Sequence, residues 1–461
     1  MARADGLSLP ALTAIVVGSM VGAGIFSLPQ AMGRASGGLG VLLAWGVTGS
    51  GMLLLALVFQ RLARQRPELD SGIFAYAQEG FGRYPGFLSA FGYWTVCCLG
   101  NVSYWVLIKS TLGAVVPAFG DGSSLAAVAS ASAGLWLVHA LLLRGVRQAA
   151  ALNTIVTVAK ILPILLFIAL VALRFDTALF ADSFRGAPGE GLALQLQGTL
   201  LVTVFVFVGI EGASVFSRHA RRAEDVGRAT LAGFALVLAL LVAVTLLSYG
   251  ILPRAELAAL RNPSMGGVLQ AVVGGWGAGF VGAGLIVSVL GAYLSWSLLA
   301  AEVLVAAARA GIMPAGLARE NARGAPAAAL WLTSLLVQLF LVLTYFAEEA
   351  FLLALKLTSS MVLLPYLLVA GFALLIDRRA GRGGIIALLA LLYVVGMMLG
   401  GGLRYLLLSC LLYAPGTLLF LRAARAPGLP AFTRAEALLL ALVLAGAALA
   451  GLGLLTGRIT L

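Results

Sequence analysis

The stretch "VVGSMVGAGIFSLPQ", Val16 to Gln30, decides how this chain is read. It lies in an apolar run that begins about eight residues from the N-terminus, yet three of its 15 residues are glycine and one is proline. Both residue types weaken a helix. A bilayer interior has no water to satisfy the backbone groups that they release. Non-helical backbone at membrane depth is tolerated only where it is buried in protein or lines a cavity.

The rest of the chain supports membrane depth. Of 461 residues, 61% are hydrophobic and 10% charged, which is too apolar for a soluble domain. Apolar runs of about 20 residues recur along nearly its whole length, enough to cross roughly 30 Å of hydrocarbon as a helix. The expected class is an all-α integral membrane protein forming one bundle over 1–461. Thirteen candidate spans lie near 10–31, 38–60, 86–116, 124–143, 150–173, 195–217, 229–251, 275–308, 327–346, 350–376, 384–400, 403–421 and 435–456. The eleventh and twelfth are short and separated only by "GGG", so a count of twelve stays open. The first run is too long and too glycine-broken for a cleavable signal peptide.

Charge sets an orientation. The loops "RLARQRPELD", "RGVRQ", "SRHARRAEDVGR", "ARAGIMPAGLARENAR" and "DRRAGR" are arginine-rich, whereas "PAFGDGSS" and "FAEEA" are short or acidic. The positive-inside rule then puts the N-terminus in the cytoplasm and explains the net charge of +12 without nucleic acid. Cys97, Cys98 and Cys410 all fall in apolar segments and show neither a disulfide framework nor metal spacing.

The chain has 27 arginines and three lysines, and the lysines sit within or near spans: Lys109, Lys160 and Lys356. Arginine stays protonated, whereas a desolvated lysine can lose its proton. An ionisable group in a span is a functional candidate by default. Lys160, eleven residues into its span with no nearby acid in sequence, is the strongest of the three. Lys356 follows Glu349 by seven residues, where it can simply pair or snorkel, and Lys109 lies eight residues past Asn101.

Transporters break helices to bind ions and zwitterions. A half-helix N-terminus offers free N–H groups to an anion, and unwound carbonyls hold a cation. Gly22-Ala23-Gly24 is the candidate break in span 1. Its partner is "TVFVFVGIEGASVFS" in span 6, where Gly209, Gly212 and the acid Glu211 interrupt an apolar run. Glycines at one such place can serve close helix packing alone. Two breaks five spans apart favour a 5+5 inverted repeat, with 10–173 as the first unit, 195–376 as the second and 384–456 as additional spans.

At this point the residues resemble a family. "GSMVGAGIFSLP", "GIEGASV" and "GAYLSWSLLAAEVLVAAARAGIMP" resemble the basic amino acid/polyamine antiporters of the amino acid–polyamine–organocation superfamily. "TSSMVLLPYLL" and the ending "TGRITL" lean toward its arginine–ornithine antiporters. The resemblance implies a LeuT-type fold with substrate at mid-membrane between spans 1, 3, 6, 8 and 10. It implies that the amides around Gly22, Ala23 and Gly24 take the substrate carboxylate, and that carbonyls near Val208 and Gly209 meet the α-ammonium. It puts the aromatic gate on Phe205, the aromatic platform on Trp296 and polar contacts on Asn101, Cys97 and Thr358. A guanidinium on an indole face gains about 1–2 kcal/mol when desolvated. Phe205 departs from the tryptophan common at the gate, and Tyr104 from a thinner residue, so both reshape the pocket. Some relatives place a span 5 lysine where others hold sodium. Lys160 and Glu211 are therefore the candidate proton-linked or gating groups.

The expected function is secondary transport by alternating access in a cell inner membrane, most simply arginine exchanged for ornithine, with no cofactor or metal. A bundle of spans 1, 2, 6 and 7 would rock against spans 3, 4, 8 and 9. Its partners are small cationic amino acids and membrane lipid, not nucleic acid. Family relatives are often dimers, which makes a homodimer the implied assembly. One alternative is a proton-coupled amino acid symporter using Lys160. An enzyme would need His, Asp or Cys clustered in the spans, and only His139 and His219 occur. A sensor would be expected to carry a long extramembrane segment, which the sequence lacks.

Overall fold

A computed structural model describes residues 8–69, 73–144, 147–186, 189–211, 223–347, 349–377, 381–423 and 432–459. The second half of the sixth span, with Gly212, and the loop residue His219 lie outside the described residues.

The described chain is helical: α1 Leu9–Met20, α2 Leu28–Ala35, α3 Gly38–Gln65, α4 Ile73–Phe81, α5 Arg83–Leu112 and α6 Leu125–Leu143. There follow α7 Arg147–Leu173, α8 Thr177–Phe184, α9 Leu192–Phe205, α10 Ala223–Ser248, α11 Arg254–Ala259 and α12 Ser264–Val273. The last six are α13 Gly275–Arg309, α14 Ala327–Leu343, α15 Ala350–Ile376, α16 Arg382–Gly400, α17 Leu403–Ala423 and α18 Arg434–Leu455. Ten of these are individually long and apolar enough to cross a membrane, and two further intervals qualify as bent pairs, α1 with α2 and α7 with α8. The thirteenth interval is α9, with 14 residues before the chain unwinds. The two short spans in doubt are separate helices, α16 and α17, parted at Gly401 and Gly402. Gly402 turns the chain at a φ of +100°.

Four short helices, α4, α8, α11 and α12, occupy connections that carry no span-length apolar signal. Asp176 starts α8 by accepting from the N–H groups of Ala178 (2.8 Å) and Leu179 (3.2 Å), an N-cap that satisfies two otherwise orphaned donors.

The span-to-span contacts repeat with a period of five. Counting spans, the first (α1) packs on the seventh (α10), and the second (α3) on the sixth (α9). The third (α5) packs on the tenth (α15), and the eighth (α13) on the fifth (α7). The third also crosses the eighth, and the fourth (α6) lies on the ninth (α14). Moving every number by five turns each of these contacts into another of them. Five crossings reverse direction, so such a repeat is inverted, as in the LeuT-type fold.

Position in the bundle follows from burial. Helix α5 is apolar all round and buried on every side, the state of a helix enclosed by others. By contrast α18 keeps Glu436, Val443, Ala447, Ala450 and two glycines inside, and points Leu438, Leu442, Leu449 and Leu452 outward. In a membrane that leucine face meets lipid.

Candidate functional site

The first helix breaks where the sequence places its glycines. Helix α1 ends at Met20, Gly22 is extended (φ −110°, ψ −154°), and a 3-10 turn over Ala23–Ser27 leads into α2. Pro29 sits in the first turn of α2, where a missing N–H breaks no helical bond. The Val21 N–H donates to the Val17 carbonyl and the Gly22 N–H to Met20, both at 2.9 Å. Ala23 and Gly24 open the turn, where first-turn N–H groups have no intrahelical acceptor. The end of α1 thus presents carbonyls, and the start of the Ala23 turn presents N–H groups.

The second break follows Phe205, the last residue of α9. Residues 206–211 continue as turns: Phe207 donates to Val204 (3.0 Å), Val208 to Phe205 (3.2 Å) and Ile210 to Phe207 (3.1 Å). Gly209 has a φ of +108°, which a side chain would strain. The two breaks touch. Ser19 Oγ donates to the Gly209 carbonyl at 3.0 Å and to the Val16 carbonyl at 2.8 Å. A Cβ on Gly209 would lie 2.7 Å from the Ser19 carbonyl oxygen.

Between the breaks lies a cavity lined by Gly22, Ala23, Gly24, Phe205, Val208, Trp296 and Thr358, all expected from the sequence. Ser19, Met20, Val96, Gly100, Tyr104 and Val206 complete the wall. Its volume of about 30 Å³ holds two or three waters at about 10–15 Å³ each. No carboxylate, ammonium or guanidinium side chain is among the lining residues, so polarity there comes from helix ends, hydroxyls and the indole.

The other expected residues stand behind this wall. Cys97 and Asn101 are one residue round α5 from the lining stripe Val96, Gly100, Tyr104. Asn101 Nδ2 donates to Ser297 Oγ at 3.0 Å, while its buried Oδ1 has no partner among the described residues. Ser297 adjoins Trp296 on α13. That stripe repeats every fourth residue, which is the sequence signal for Val96 and Gly100; nothing in sequence singled out Ser19 or Val206.

Glu211 is buried beneath the second break. Its carboxylate accepts from the Gly209 N–H (3.2 Å), the Tyr366 hydroxyl (2.8 Å) and the Tyr93 hydroxyl. Tyr93 belongs to α5 and Tyr366 to α15, so this acid ties the unwound segment to both neighbours.

The three lysines differ. Lys160, buried on α7, donates to the carbonyl of Gly18, four residues before Gly22. Lys109 lies at the end of α5 with its ammonium 5.1 Å from the Phe119 ring centre and 5.8 Å from that of Trp105, and it does not line the cavity. Lys356 lies 5.6 Å from the Tyr405 ring centre, and Glu349 pairs instead with Arg34.

Comparison with known proteins follows the same lines. Residues 7–399 match the profile of a family described as amino acid permease. The chain is 48% identical to an arginine/ornithine antiporter of Pseudomonas aeruginosa over 99% of this chain and 98% of the relative. It is 39% identical to an L-lysine transport protein of Corynebacterium glutamicum, over 99% of this chain and 96% of that one. It is 37% identical to an arginine/agmatine antiporter of Chlamydia abortus, over 90% of this chain and 89% of that one.

Proposed function

The chain belongs to the amino acid permease family, and on that premise we propose that it exchanges cationic amino acids across a membrane, arginine against ornithine. The observation that carries this reading is the meeting of two broken helices at one cavity, with carbonyls on one side and N–H groups on the other. That polarity complements a zwitterion. The carboxylate goes to the N–H groups of Ala23 and Gly24, at the positive end of the turn. The α-ammonium goes to the carbonyls that end α1 and to those near Val208 and Gly209. The side chain runs between Phe205 and Trp296 toward Thr358, with Asn101 and Cys97 behind. A cation held by an indole face and hydroxyls, without a counter-charge, can leave again, which turnover requires.

Exchange of one monocation for another moves no net charge. Substrate gradients suffice, and spans 1, 2, 6 and 7 rock against 3, 4, 8 and 9. The units 10–173 and 195–376 are the two repeats, and 384–456 is an addition. Glu211 acts as a gating anchor, because it grips the second break from two neighbouring spans. The arginine-rich loops support a cytoplasmic N-terminus in a cell inner membrane, and the family resemblance supports a homodimer.

A second reading has its own observation. Lys160 holds the Gly18 carbonyl next to the first break, so a proton on Lys160 could be linked to site closure in a symporter. The two readings separate in liposomes. Labelled arginine uptake that needs internal arginine or ornithine supports exchange. Equal uptake into empty vesicles, driven by an inward proton gradient, would overturn it and favour the symporter.

A further inference from the structure

We propose that the Tyr104 hydroxyl is a third donor to the substrate α-carboxylate and so selects amino acids over the corresponding decarboxylated amines. The inference rests on the exchanger reading and adds a specificity-determining side chain to it. Tyr104 is on the cavity face of α5, one turn past Gly100. A Cβ built on Gly22 would lie 3.2 Å from its hydroxyl oxygen and 4.0 Å from the ring carbon bearing it. The polar tip of the side chain, not its ring, therefore faces the first break.

The other hydroxyls of the cavity are committed. Thr358 Oγ1 donates to the Ala354 carbonyl at 2.7 Å. Ser19 donates to the carbonyls of Val16 and Gly209. The Gly22 N–H already donates to Met20. Tyr104 is 5% exposed, and among the described residues its hydroxyl makes no hydrogen bond. A hydroxyl beside Gly22, next to the turn whose first N–H groups have no helical acceptor, makes a site for an anionic oxygen pair. Hydrogen bonds to a carboxylate are charge-assisted and strong. An amine without a carboxylate would deprive all three donors of a charged acceptor, and a site built to hydrogen-bond a substrate group rejects the analogue that lacks it.

The test uses the whole protein in liposomes loaded with arginine. Uptake of labelled arginine is inhibited with arginine, ornithine, agmatine or putrescine, in the wild type and in Tyr104→Phe, which keeps the ring. We expect the half-inhibitory concentrations of arginine and ornithine to rise roughly tenfold, with those of agmatine and putrescine unchanged. If all four ligands shift alike, or none shifts, Tyr104 is only part of the wall and the proposal is wrong. Thermal stabilisation of the purified variant by the same four ligands gives the same comparison without turnover. A wild type that takes up no labelled arginine would instead overturn the exchanger reading, and this inference with it.

Discussion

The Ser19 hydroxyl donates to the carbonyl of Gly209 at 3.0 Å, joining the break in the first span to the break in the sixth across 190 residues of sequence. The cavity forms beside this contact. Each break releases backbone groups that a bilayer cannot satisfy. Ser19 of the first supplies a donor to a carbonyl that the second releases.

Gly209→Ala should abolish exchange. Its φ of +108° and the 2.7 Å approach to the Ser19 carbonyl leave no room for a methyl group. The backbone must give up a conformation worth about 1–3 kcal/mol of strain to a residue with a side chain. Uptake normalised to reconstituted protein measures this, and near-normal uptake would mean the breaks do not need each other.

Phe205 and Val206 leave no room for a side chain on Gly24. A Cβ there would meet Val206 Cγ1 at 2.6 Å and Phe205 Cδ1 at 2.9 Å. Gly24→Ala should therefore impair exchange strongly, and adding Phe205→Leu should restore part of it. Failure of the second substitution to help would place the obstruction on Val206 instead.

Trp296→Ala should raise the half-saturation concentration for arginine by about 5- to 30-fold, from a desolvated cation–π contact of ~1–2 kcal/mol. Trp296→Phe should fall between. The neutral isostere citrulline, used as a competitor, should lose less. An equal loss for citrulline would assign Trp296 to packing alone.

Glu211→Gln, Tyr93→Phe and Tyr366→Phe remove parts of one buried cluster. Their effects on exchange rate should be non-additive: the Tyr93→Phe/Glu211→Gln double variant should lose less than the two single losses combined. Additive losses would show that the tyrosines act independently of the acid.

Lys160→Met should slow exchange, because the Gly18 carbonyl loses its donor beside the site. In the exchanger reading the wild-type rate at saturating internal ornithine should be indifferent to an imposed proton gradient. A gradient-driven uptake that Lys160→Met abolishes would move this lysine to the centre of transport.

The spans and the broken helices were legible because they are local. Thirteen apolar intervals and glycines inside two of them need no partner to be recognised, and the helices fall on the same intervals among the described residues. Seven of the ten expected substrate residues line the cavity. The rest of the wall was harder to see. Helix α5 is apolar on every side, so no amphipathic stripe marks its rotation. Family resemblance pointed to Cys97 and Asn101, whereas the cavity is lined by the neighbouring stripe Val96, Gly100 and Tyr104. The short helices α8, α11 and α12 carry too few residues for a periodic signal.

Sequence by itself determined the solvent of this protein and where its helices must fail, since hydropathy and the cost of unsatisfied backbone act on each segment alone. Only the tertiary structure decided which failures meet and which side chains serve them. Ser19 reaches Gly209, Glu211 is gripped by Tyr93 and Tyr366, and the Tyr104 hydroxyl is left uncommitted beside Gly22. Those pairings depend on the rotation of one buried helix against another. In a uniformly apolar chain that rotation is set by packing among many spans at once, not by the composition of any one.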